Sequence, residues 1–164
     1  MVVWKGQMGM RLHHVPTRVA TGGFILNSGL GKLSADEDMA AGVHGMASGT
    51  YPFLESLDAT TFTKVLAAGE ITLGAALLLP FVPTAVAGAG LTMFSAGLLG
   101  LYLKTPGMTA DGVRPTQQGI PLAKDVWMLG IGVSFLLEGA ADRRSRAKAA
   151  RKAAKAAKAV PAAT

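Results

Sequence analysis

The stretch TAVAGAGLTMFSAGLLGLYL, Thr84–Leu103, runs 20 residues without an Asp, Glu, Lys or Arg. At 1.5 Å rise per residue a helix of that length covers ~30 Å, the thickness of a bilayer's hydrocarbon layer. Three further stretches read the same way, Val15–Leu33, Phe62–Phe81 and Leu122–Ala141. The fold class that follows is all-α, a bundle of four transmembrane helices. It divides the chain into an N-terminal segment at 1–14, a membrane domain at 15–141 and a basic tail at 142–164.

Composition agrees. Half of the 164 residues are hydrophobic, only 16% are charged, and mean hydropathy is +0.37. The 21 glycines suit membrane helices, which approach closely through small residues because lipid supplies no hydrophobic drive between them. Cysteine is absent, which excludes disulfides, thiol catalysis and Cys-ligated metal. The first apolar stretch carries Asn27 and Lys32 and no clean cleavage site, so it reads as a retained helix and not a signal peptide.

Charge sets the expected orientation. Eight of the 16 Lys and Arg residues fall between Arg143 and Lys158, and Lys5, Arg11 and Arg18 lie at the other end. The first loop, Ser34–Thr61, holds Asp36, Glu37, Asp38, Glu55 and Asp58 and no cation. The positive-inside rule therefore predicts both termini in the cytoplasm, with the long first loop and the Lys104–Pro121 loop outside. Within the first loop, Asp36–Ser48 predicts a short helix with Met39, Val43 and Met46 on one face. It is expected to pack on the bundle, a substrate lid being the alternative. Thr60 or Thr61 is the expected N-cap of the second span. The alanine-rich basic tail predicts a frayed helix beside anionic headgroups. Its lack of aromatic residues argues against nucleic acid.

Charges inside spans are costly and face the bundle interior. Arg18, Gly22, Ile25, Gly29 and Lys32 follow helical steps onto one face. Depth arithmetic sorts the ionisable residues into two layers, Lys32 lying ~21 Å beyond Arg18. An outer layer of Lys32, Glu70, Lys124 and Asp125 is the candidate polar site, suited to a quinone headgroup, an oxyanion or a proton path; the competing reading is an ion-pair network that fixes helix register. An inner layer pairs Arg18 with Glu138 or Asp142. His13 and His14 have no ligand at helical spacing, His44 stands alone in a loop, and the methionines are scattered, so no metal site is expected. No phosphate loop or catalytic triad is present, and the chain leans away from a stand-alone enzyme.

Three motifs carry a likeness to a known family: RVATGGFILNSGLGK at Arg18–Lys32, EITLG at Glu70–Gly74 and LAKDVWMLG at Leu122–Gly130. With RPTQQG at Arg114–Gly119 they make the chain resemble the DoxX-like family of small bacterial membrane proteins, in its actinobacterial form, over about Pro16–Glu138. The resemblance implies a four-helix bundle in the bacterial plasma membrane. It also implies a role near thiosulfate:quinone oxidoreduction, oxidative and thiol stress, or respiratory assemblies. The expected function is a non-catalytic accessory subunit of a redox or respiratory complex, with no intrinsic cofactor and with lipid and that complex as partners. The alternative is a small quinone-linked oxidoreductase or transport component that uses the outer cluster, with quinone or lipid bound there. The lack of cysteine departs from any intrinsic thiol chemistry.

Overall fold

A computed structural model describes residues 11–159. The start of the N-terminal segment, with Lys5, and the tail beyond Ala159 lie outside the described residues. The chain is mostly helical: α1 (Val15–Leu33), α2 (Glu37–Thr50), α3 (Ala59–Leu78), α4 (Thr84–Lys104), a two-stranded hairpin of β1 (Thr109–Ala110) and β2 (Arg114–Pro115), α5 (Ile120–Ala123) and α6 (Val126–Ala159). Among the described residues, three helical stretches are long and apolar enough to cross a membrane: α3, α4, and Ile120–Lys155, where α5 runs into α6. The 19-residue α1 is diluted by Arg18, Asn27 and Lys32 and falls outside that group.

Local chemistry sets the helix ends. The Asp58 carboxylate accepts from the Thr61 amide at 2.9 Å and caps α3, so that helix starts before either threonine expected to do so. Pro80 forces Leu79 out of the helical region (φ −77°, ψ 121°), and α3 stops at Leu78, three residues short of the expected Phe81. Asp36 caps α2 through the Met39 amide at 2.8 Å, and Pro52 follows its last residues. At Lys124–Asp125 the ladder tightens, the Asp125 amide bonding Leu122 three residues back at 3.0 Å. From Val126 the helix then continues without a break through the described part of the tail to Ala159. The hairpin within the Lys104–Pro121 loop turns at Asp111-Gly112, both with positive φ (49° and 89°).

The bundle is two helix pairs. α1 lies along α3, and α4 lies along α6, while α3 and α4 touch only sparingly. Glycine makes each pairing close. A Cβ added at Gly74 would sit 2.7 Å from the Leu26 amide nitrogen, and one at Gly132 would sit 2.8 Å from that of Thr92. Ile25, Leu77, Ala87, Leu91, Met128 and Phe135 form the buried core that joins the pairs. α2 packs across α3 and α4 and closes one end.

Candidate functional site

Under α2, between the two helix pairs, lies a chamber of about 530 Å³. Such a volume is in the range of small-molecule pockets, ~300–1,000 Å³. Its wall is mainly apolar, with Phe24 from α1, Phe62 from α3, Phe94 from α4 and Met128 from α6. Val43, Met46 and Ala47 of α2 form its cover, so two of the three residues expected on one face of that helix turn toward the chamber. Met39 is 47% exposed instead.

Lys32, Glu70, Lys124 and Asp125 all line this chamber. Only one pair among them is in direct contact. Lys32 Nζ donates to Glu70 Oε2 at 2.9 Å and to Ser28 Oγ at 2.7 Å, and the Glu70 side chain is 4% exposed. Ser28 stands one turn before Lys32, which places its hydroxyl under the ammonium group. Lys124 lies 5.8 Å from the centroid of the Phe24 ring and joins no ion pair among the described residues. Asp125 is 5% exposed, and among the described residues no hydrogen bond or ion pair reaches its carboxylate, though the neighbouring Lys124 charge acts on it from a distance. The chamber thus holds one satisfied ion pair, one cation resting on an aromatic face and one carboxylate open to a ligand.

Tyr51 reads in the sequence only as part of the Gly49–Pro52 stop after the short helix. It follows α2, lines the chamber and donates its hydroxyl to the Gly97 carbonyl at 2.9 Å, which ties the cover to α4. Lys104 sits 5.6 Å from its ring centroid. A Tyr-Pro step after a short helix signals a stop, and nothing in it announces a contact 46 residues away.

At the opposite end the expected ion pairs are replaced. Arg18 is fully buried and touches neither Glu138 nor Asp142. Its guanidinium donates to the carbonyls of Leu77 (2.6 Å), Ala76 (2.8 Å), Leu79 (3.0 Å) and Val82 (3.2 Å). The reason is the partner helix: α1 lies on α3, whose last carbonyls lose their helical donors where Pro80 ends it. Glu138 is taken by Arg11, whose Nη1 donates to Oε1 at 2.6 Å, and by His14; Arg11 also holds Asp142. His13 reaches the same Glu138 carboxylate at 3.4 Å. His44 bonds the Leu54 carbonyl at 3.0 Å and stacks edge-on against Phe62.

The chain matches no protein-family model, no curated protein and no solved structure. Its functional reading rests on the chamber.

Proposed function

We propose that this chain is a DoxX-like, four-span protein of the bacterial plasma membrane that holds the headgroup of a lipid-soluble quinone between its helix pairs. The observation that carries this reading is the chamber, apolar along its wall and furnished with Lys124 and Asp125. A quinone headgroup offers carbonyl acceptors when oxidised and hydroxyl donors when reduced. Lys124 supplies the donor for the first and Asp125 the acceptor for the second. The Lys32–Glu70 pair keeps a second polar contact in place beside them. When bound, quinone brings electron- and proton-carrying capacity; the chain's own residues bind the head and exclude water with Phe24, Phe62 and Phe94.

The fourth span is α1. Its mean hydropathy understates how well it suits lipid, because both its cations turn inward, Arg18 to the carbonyls ending α3 and Lys32 to Glu70. Its outer face presents Val19, Leu30 and Leu33. The acidic first loop and the basic tail then put both termini in the cytoplasm. The cysteine-free sequence makes the test direct: single cysteines at Gly49 and Ser145 should label from opposite sides of intact cells. Labelling from one side removes the four-span reading.

For the ligand, the full chain in nanodiscs should bind a short-chain ubiquinone or menaquinone analogue saturably. Asp125→Asn and Lys124→Gln should each weaken that binding about tenfold while the protein stays folded, the loss of one hydrogen bond to a charged group. Binding that both variants leave unchanged would remove the chamber from the account.

A second reading, an accessory subunit of a redox or respiratory assembly, is favoured by Phe53 and Val113. They are 75% and 73% exposed in segments outside the long helices, where a partner subunit would bury them. Mild extraction with an affinity tag should then recover a stoichiometric partner, which Phe53→Ser together with Val113→Ser releases.

A further inference from the structure

The Arg18 end of the bundle carries a second group of side chains that the chamber does not involve. The turn Leu12–His14 is a single turn of 3-10 helix, in which successive side chains ordinarily diverge by about 120°. Here two successive imidazoles converge. Their rings stand edge to face with centroids 4.3 Å apart, and His14 is buried against Phe135 of α6. His13 Nε2 lies 3.4 Å from Glu138 Oε1, and His14 Nε2 contacts Glu138 Oε2. One ligand atom from each of the three residues falls within 4.8 Å of the others.

Two imidazole nitrogens and one carboxylate oxygen are a donor set that first-row divalent ions take, Zn²⁺ among them. At the usual metal–ligand lengths, tetrahedral donors stand about 3.3 Å apart. The His13–Glu138 spacing already meets that, and the His14 contact, made to the other carboxylate oxygen, lengthens to admit an ion. The charge balance also accepts a cation. With neutral histidines, Arg11 (+1), Glu138 (−1) and Asp142 (−1) sum to −1. Arg11 competes for Glu138, but Asp142, one turn further along α6, can keep it. The exposed flank of His13 leaves a position for water.

We propose that His13, His14 and Glu138 form a site for a divalent transition-metal ion that fastens the chain before α1 to α6. Its affinity is modest. Once Nε2 of His14 binds the ion, the ring proton sits on Nδ1, which is buried and has no acceptor among the described residues.

The test uses the full chain in nanodiscs, titrated with Co²⁺ as an optical probe and with Zn²⁺ in competition. One ion per chain is expected, with the visible absorption of tetrahedral Co²⁺. His13→Asn, His14→Asn and Glu138→Gln should each weaken binding about tenfold or more, and His44→Asn should not. Arg11→Gln should tighten it, because the competing guanidinium is gone. The His13 side chain is 63% exposed, so its variant folds even where the buried positions fail and decides the matter alone. Absence of saturable Co²⁺ binding, or binding indifferent to His13→Asn, overturns the site. Equal or weaker binding in Arg11→Gln overturns Glu138 as the third ligand.

Discussion

The two ends of the bundle treat buried charge in opposite ways. At the Arg18 end, the guanidinium donates to four carbonyls around the end of α3, and the side chain is fully buried. At the chamber end, Lys32 and Glu70 satisfy each other while Asp125 has no hydrogen-bond or ion-pair contact among the described residues. Full hydrogen bonding makes a buried charge structural. A buried carboxylate left open beside a cavity lowers stability and is retained only where something else is gained. On the proposed reading the contrast divides stability from binding between the two ends, and variants at each end should separate the two properties.

The largest effect is expected at Arg18. Arg18→Met strands several carbonyls away from water, each worth a kcal/mol or more, so about 3–5 kcal/mol in all and loss of a monodisperse folded protein in detergent. Arg18→Lys keeps the charge with fewer donors and should fall between. A stable Arg18→Met protein would dissolve the contrast at its structural end. Next come the helix contacts. Gly132→Leu drives a side chain into Thr92, and Gly74→Leu drives one into Leu26. Each should cost about 1–3 kcal/mol, read as a lower melting temperature.

Asp125→Asn should reverse the sign. Removing an unpaired buried carboxylate leaves the melting temperature of the empty protein unchanged or higher, while affinity for the quinone analogue drops. A marked fall in melting temperature would mean that Asp125 is structural after all. Glu70→Gln should be intermediate, since it leaves the Lys32 ammonium facing a neutral amide.

The smallest effect belongs to the cap of α3. The Thr61 amide and hydroxyl, at 2.9 and 3.1 Å, hold the Asp58 carboxyl below its ordinary value. A depressed folded-state pKa means that its contribution is complete above the pKa of an unfolded aspartate and is lost as pH falls through the folded value. Acidification should therefore lower the melting temperature slightly more in the native chain than in Asp58→Asn. Identical pH profiles would show that the cap adds nothing.

The helices were legible because apolar length alone nearly specifies them, and α1 begins and ends at Val15 and Leu33 as its composition predicts. Their exact ends were less so. Asp58, Thr60 and Thr61 are all capable caps, and the choice depends on which residue takes the extended backbone. The polar residues of the chamber could be gathered by depth, since position along a helix is arithmetic. Their connections could not. Arg18 and Glu138 can share a level in the bundle and still face different neighbours, because α1 packs on α3 and not on α6. The chamber itself depends on α3 and α4 standing apart, a property of two helix pairs that no single segment carries. The Glu138 contacts of His13 and His14 lie some 125 residues away in sequence, beyond any periodic signal. The hairpin did carry a local mark, Asp111-Gly112, which the apolar runs around it overshadow.

The inward turn of the cations on α1 bears on how the chain is made. On the four-span reading, α1 leaves the ribosome before α3, with Arg18 and Lys32 bare. The groups that neutralise them are synthesised later, Glu70 38 residues beyond Lys32 and Leu77 59 residues beyond Arg18. Alone, such a segment partitions poorly into lipid. It would have to wait beside the translocation channel until α3 emerges, so that α1 and α3 enter the bilayer together as an already neutralised hairpin.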